Sequence, residues 1–168
     1  MLKQLRYMIF LMLCFMAIAP LNVAWASKEI NDNDALKSVE NTQALFDINV
    51  GTAQKLELYL QVIQQTYDDL IRQKQSPDFI IAFRGASVRL ITTKNWAFSD
   101  DDQASIKKAA SLIRNLNDLG VQLEACSIAT TLFKVDKMSI LPEIKVVGNT
   151  FVSLIGYQTK GYALVPIH

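Results

Sequence analysis

The segment "DFIIAF" at residues 78–83 constrains the fold more than any other part of the sequence. It is a continuous apolar run that ends at Arg84-Gly85, and Pro77 just before it stops the preceding helical pattern. An apolar run this short is typical of a central strand that is buried on both faces, as in parallel sheets covered by helices. The segment therefore predicts an α/β protein with a largely parallel sheet.

Four further short apolar runs alternate with longer helical patterns along the chain. Apolar residues spaced three and four apart predict a long helix over 56–71, a second over 106–116 and a third between Asn149 and Gly161. A short helix is predicted at Ser87–Thr92. The alternation predicts a five-stranded, mainly parallel sheet with helices on both faces, its strands being 44–50, 78–83, 121–126, 143–148 and 162–166.

Local signals mark the ends of two of these helices. Ser99 and the three aspartates after it, at 100–102, offer a cap and acidic groups at the positive end of the second helix. Gly120 supplies a left-handed stop for that helix. Asn149 can cap the third helix, and Gly161 closes it.

The first 26 residues have the three parts of a secretory signal. Lys3 and Arg6 form a cationic start, residues 7–19 are an unbroken apolar run, and residues 24–26, Ala-Trp-Ala, offer a cleavage site. Pro20 interrupts the stretch before it reaches the roughly 20 apolar residues that a spanning helix needs. We therefore expect cleavage after Ala26, a flexible polar leader at 27–43, and a single periplasmic or secreted domain at 44–168 with no membrane attachment.

The charge of the remaining chain excludes one class of partner. Removal of Lys3 and Arg6 with the signal leaves the basic residues nearly balanced by the 16 acidic ones. Domains that bind nucleic acids carry a clear excess of positive charge on one face. We therefore expect no nucleic-acid partner.

Reactive and ligand-binding groups of a parallel sheet gather beyond the carboxyl ends of its strands. Four such ends lie at residues 49–52, 84–87, 126–131 and 148–150, and all can face one crevice. We predict Cys126 as the reactive residue of this crevice. We predict that the crevice binds a substrate through Asn49, Gly51, Arg84, Gly85, Ser127 and Thr130.

Cys126 is the only cysteine expected after signal cleavage, so it has no disulfide partner in its own chain. It therefore has two interpretations. At the start of a helix, backbone N–H groups and the helix dipole favour the nucleophilic thiolate, and Arg84 at another strand end would add positive charge. The same N–H groups would hold a small anion. Alternatively, Cys126 is a buried small hydrophobe with no chemical role.

Other chemistries lack the residues that they need. His168 is the only histidine and the last residue, so a Ser-His-Asp or Cys-His arrangement would depend on an untethered tail. One cysteine and one histidine are too few for a zinc or iron-sulfur site. Gly51, Gly85 and Gly148 are isolated, so no nucleotide-binding loop is recognisable. We expect no metal and no cofactor.

Several segments together resemble one family. These segments, in chain order, are "DINVG", "LELYLQVI", "FRG", "LGVQLEAC", "ILPEIKVV" and "YQTKGYALVP". In order and spacing over about residues 44–166 they resemble the DsrE/DsrF-like family of small sulfur-handling proteins. The resemblance implies a three-layer α/β/α domain with a five-stranded, mainly parallel sheet, assembled as a trimer or hexamer.

The resemblance also implies a role for Cys126. In members that relay sulfur, a cysteine accepts sulfur as a persulfide and passes it to a partner protein, and Cys126 follows the "GV" strand where many members carry one. This implies a sulfur donor and a sulfur acceptor as partners. An exported module that binds an anion or a protein, with Cys126 only packing, is the alternative, since fold does not determine function. A redox-sensing thiol is a third, although the mature chain has no resolving cysteine.

Overall fold

The computed structural model describes residues 30–39, 41–94 and 98–168. The predicted signal peptide at 1–26 lies outside these residues. All elements named below belong to one compact unit, Asn33–His168. Within the described part of the chain, no helix is long and apolar enough to cross a membrane.

Five strands form one sheet in which every pair is parallel. They follow the spatial order β4-β3-β2-β1-β5, so the apolar run that ends at Phe83 is central. This confirms the predicted α/β class and the five-stranded sheet. The strands are β1 (Thr42–Ile48), β2 (Pro77–Phe83), β3 (Gln122–Cys126), β4 (Lys145–Val147) and β5 (Ala163–Ile167).

Helices connect the strands and cover the sheet. Two long helices pack against each other, and two shorter ones follow β3 and β4. Among the described residues, two 3₁₀ turns, Gly85–Arg89 and Lys137–Ser139, lie in the connections. The α-helices of this part of the chain are α1 (Asn33–Leu36), α2 (Ala53–Arg72), α3 (Asp100–Asp118), α4 (Ser127–Leu132) and α5 (Thr150–Thr159).

The two faces of the sheet are covered unequally. Alternate residues of each strand point to opposite faces. One face, which includes Phe46, Ile81 and Leu123, joins α2 and α3 in the main core. The other face carries Leu45 and the buried middle of β2, which pack against Leu154 of α5. Residues Glu124 and Cys126 of β3 share this second face, because they are separated from the core-facing Leu123 and Ala125 by one position.

Some element boundaries differ from the prediction. β1 begins at Thr42, so the last two residues of the predicted leader belong to the sheet, and α1 lies within that leader as well. β4 has only three residues because it pairs only with residues 124–126 of β3. The helix predicted at Ser87–Thr92 is instead the earlier 3₁₀ turn, and Thr92 bridges Ile140.

The predicted caps are confirmed. The Ser99 hydroxyl accepts a hydrogen bond from the Asp102 backbone N–H, and the aspartates at 100–102 form the first turn of α3. The Asn149 side chain accepts one from the Phe151 N–H. Gly120 and Gly161 have φ angles of +89° and +97°, which few other residues adopt readily.

Candidate functional site

Cys126 lies at a junction of secondary structure. It is the last residue of β3 and the N-cap of α4, with extended backbone angles. Cys126 is only 5% exposed, but it borders an open cavity of about 210 Å³ at the carboxyl end of the sheet. The cavity is lined by Arg84, Gly85, Cys126, Ile128, Ala129, Leu132, Phe133, Asn149, Thr150 and Phe151.

The beginnings of two helices surround the Cys126 sulfur with hydrogen-bond donors. Burial by itself raises the pKa of the thiol, because a charged sulfur loses water. The backbone N–H groups of Thr150, Ala129 and Ile128 and the Thr150 hydroxyl outweigh this burial, and the pKa lies below the usual value. The arrangement therefore stabilises a thiolate, the nucleophilic form of cysteine.

Arg84 is held by an acidic residue on the neighbouring strand. Its Nε donates to Asp47 Oδ1 at 2.6 Å and its Nη2 donates to Asp47 Oδ2 at 2.8 Å. The two hydrogen bonds form a bidentate, charge-assisted contact. Because Asp47 is buried, little solvent surrounds its carboxylate. Asp47, more than the Cys126 thiolate, raises the pKa of Arg84. Arg84 lines the same cavity as Cys126, and the Cys126 thiolate also contributes to raising its pKa, but Asp47 balances most of its positive charge.

Gly85 has a geometry that other residues would strain. Its φ of +55° lies in the left-handed region, and a Cβ atom built there would overlap the Asn49 side chain. The Arg84 backbone N–H donates to the Ile48 carbonyl, which fixes the start of this turn against β1. Asn49 therefore supports the floor of the cavity through Gly85 without lining the cavity itself.

The structure brings only part of the predicted substrate set together. Arg84, Gly85 and Cys126 line one cavity. Gly51 is exposed, and Ser127 and Thr130 also lie outside the cavity lining. Thr130 is fully buried and donates its hydroxyl hydrogen to the Ser127 carbonyl at 2.8 Å, so it stabilises α4. Their predicted contacts with a substrate stay predictions without geometric support.

The sequence predicts backbone N–H donors for Cys126 and places residues 148–150 at the crevice, but it does not indicate that Thr150 supplies a donor. The position of Thr150 at the start of a helix beside the crevice is the signal that could have indicated it. No sequence signal indicated the apolar walls, which consist of Ile128, Leu132, Phe133 and Phe151. Both phenylalanine rings are in contact with guanidinium groups. Arg84 Cζ lies 5.5 Å from the centroid of the Phe151 ring, and Arg89 Cζ lies 5.4 Å from that of the Phe133 ring.

The chain matches a family model over most of its length. The model described as "DsrE/DsrF-like family" matches residues 51–167, which include α2 and all strands except β1. In Aquifex aeolicus, a curated relative named "Uncharacterized protein" is 28% identical over 125 residues. The match covers 74% of this chain and 55% of the relative, so the chain spans about half the length of that relative.

The fold is similar to that of a solved structure. The protein MTH1491 from Methanobacterium thermoautotrophicum, described as a protein of unknown function, superposes with a TM-score of 0.60 and 17% identity. The superposition covers 75% of this chain and 99% of MTH1491. At this level of identity the likeness establishes the α/β fold and not the chemistry.

Gly85→Ala is expected to destabilise the protein by about 1–3 kcal/mol, because alanine adds left-handed strain and displaces Asn49. Urea denaturation measures the free energy of unfolding. Gly51→Ala is the matched control, since no atom lies within 4 Å of a Cβ built there, and it should change stability by at most about 0.5 kcal/mol. Equal effects of the two substitutions would contradict the role assigned to Gly85.

Thr150→Val removes a hydroxyl that donates to the Cys126 sulfur and leaves the backbone N–H in place. The thiol pKa should rise, and alkylation at pH 7 should slow by about threefold to tenfold. In the wild type, the midpoint of the alkylation profile should lie at a lower pH than in Thr150→Val, because the lowered pKa keeps the thiolate populated at lower pH. Thr131→Val is the control, since the Thr131 hydroxyl donates to the Ser127 carbonyl instead. An unchanged pH profile in Thr150→Val would refute the donor role.

Proposed function

The chain belongs to the DsrE/DsrF-like family, and from this premise we propose that it is a sulfur-relay protein that carries sulfur as a persulfide on Cys126. One arrangement carries the proposal: Cys126 borders an open cavity at the beginnings of two helices, where three backbone N–H groups and one hydroxyl lower the pKa of its thiol. A sulfur that serves only to fill a gap in the core needs no such donors. The donors suit an anion, as the thiolate and the persulfide both are.

The transfer consists of two exchanges that leave the overall oxidation state unchanged. The Cys126 thiolate attacks the terminal sulfur of a donor persulfide, a sulfur–sulfur bond forms, and the donor's own sulfur–sulfur bond breaks. The donor leaves as a thiolate and takes the bonding electron pair. An acceptor thiolate then attacks the terminal sulfur on Cys126, so that the acceptor carries the persulfide and Cys126 returns to the thiolate. Cys126 carries the negative charge before the first exchange and again after the second, and the N–H groups of Ile128, Ala129 and Thr150 stabilise it there.

We further propose that the mature protein acts in the periplasm or outside the cell as a homo-oligomer. The signal-like residues 1–26 support export. Exposed apolar side chains on α4 and α5 support assembly, since Leu132 is 74% exposed and Ile155 is 66% exposed. Together with the family resemblance, they favour a trimer or hexamer.

A second candidate function is a binding module in which Cys126 has no chemical role. The low exposure of Cys126 favours it, because a reagent must enter the cavity to reach the sulfur. In this function the same N–H groups would hold a small anion or an acidic side chain of a partner.

Incubation of the purified protein with polysulfide should add the mass of one sulfur atom at Cys126, as measured by intact-protein mass spectrometry. The added sulfur should pass to an excess of a small thiol and should be absent in Cys126→Ser. A thiol that reacts only after denaturation would instead support the binding module. Thr131→Val is a folded control that should gain sulfur as the wild type does.

Analytical ultracentrifugation of the mature chain should show a species of three or six protomers. Substitution of Leu132 and Ile155 by Ser should shift the population toward the monomer, because burial of these side chains would stabilise the contact. The exposed Leu58 of α2 offers a control on a different helix, and Leu58→Ser should leave the mass unchanged. A monomeric wild type would refute the proposed assembly.

A further inference from the structure

A second cavity, of about 340 Å³, lies at the opposite end of β3 from the start of α4. Its walls come from the end of α3, the amino ends of β3 and β4, and α5. The lining is mixed, with the apolar Val121 and Leu123 beside polar and charged groups. The polar and charged lining residues are Asn117, Gln122, Glu124, Glu143, Lys145 and Tyr157.

Two carboxylate oxygens at this cavity lack hydrogen-bond partners. Glu124 is only 7% exposed, and its Oε1 accepts a hydrogen bond from the Tyr157 hydroxyl at 2.9 Å. Its Oε2 is buried and unpaired within the described part of the chain, and so is Oε2 of Glu143. An unpaired buried acceptor costs about 1–3 kcal/mol, and more when it is charged. A positively charged ligand would offset this cost.

The surrounding groups leave the cavity with a negative potential. Among the described lining residues, Lys145 is the only cation against two carboxylates. Lys145 is paired in register with Glu124 on the neighbouring strand, but it is exposed and forms no ion pair among those described for residues 41–94 and 98–168. Burial, followed by the Glu124 carboxylate, raises the pKa of Tyr157 to about 12, as expected near negative charge.

We propose that this cavity binds a small organic cation with a primary ammonium group and a short apolar body. An ammonium group has three donors, so it can satisfy both unpaired carboxylate oxygens and one amide oxygen of Asn117 or Gln122. The apolar body would contact Val121, Leu123 and the ring of Tyr157.

A bare divalent cation fits the same walls less well. Calcium takes six to eight oxygen ligands, and magnesium requires an octahedral set. No cluster of three or more His, Cys, Asp or Glu side chains suited to a metal occurs among the described residues. The volume also exceeds what one ion requires, since one water in the liquid occupies about 30 Å³.

Isothermal titration of the full mature chain with n-pentylammonium chloride tests the proposal. Saturable binding is expected, and 1-pentanol, which has the same apolar body without the charge, should bind at least tenfold more weakly. Glu124→Gln should weaken amine binding at least tenfold. Glu57→Gln is the matched control, because Glu57 lies on α2 and pairs with Lys108. This variant should bind the amine with the affinity of the wild type.

Three outcomes would overturn the proposal: equal binding of amine and alcohol, unchanged amine binding in Glu124→Gln, or saturable calcium binding without amine binding. If Glu124→Gln does not fold, as judged by circular dichroism, Glu143→Gln replaces it with the same expected loss. Polysulfide loading of Cys126 should be unaffected by Glu124→Gln, so the two proposals succeed or fail separately.

Discussion

Parallel pairing of the strands is the constraint on which the rest of this structure depends. Because every pair is parallel, all five carboxyl ends lie at one edge of the sheet. The register then fixes which residues meet there, since Phe83 pairs with Ala125 and Cys126 pairs with Val147. Arg84 and the chain after Val147 are thereby brought to the two sides of the cysteine.

The electrostatics of the thiol depend more on backbone dipoles than on a free side-chain charge. Asp47 matches the charge of Arg84 through two short hydrogen bonds. The Cys126 sulfur instead receives N–H groups from the beginnings of α4 and α5, which are fixed by the fold. Short-range donors in a buried site are screened by salt much less than exposed charges are. The preference for an anion therefore follows from the backbone path.

One face of β3 thus carries two side chains in surroundings of opposite electrostatic character. Glu124 and Cys126 are two residues apart, which corresponds to about 7 Å along a strand. The thiol end is surrounded by donors, and the Glu124 end has unpaired acceptors. The α5 helix contributes to both, through Thr150 at its beginning and Tyr157 near its end. A substitution near the beginning of α5 therefore tests the thiol cavity, and one near its end tests the cavity at Glu124.

The sequence by itself determined the class of the fold, the approximate strands and the helix caps. These features depend on apolar periodicity and on residues within a few positions of each other, as with Ser99 and Asp102 or Asn149 and Phe151. It also placed Cys126 at the end of a strand, whereas the helix after it, a condition of the thiolate hypothesis, came from the structure. Only the tertiary structure decided that Asp47 neutralises Arg84, that Asn49 lies against Gly85, and that Gly51 does not line the thiol cavity. Those contacts depend on strand order and register: β1 is separated from β3 by β2, so the end of β1 reaches the site only through the turn after β2.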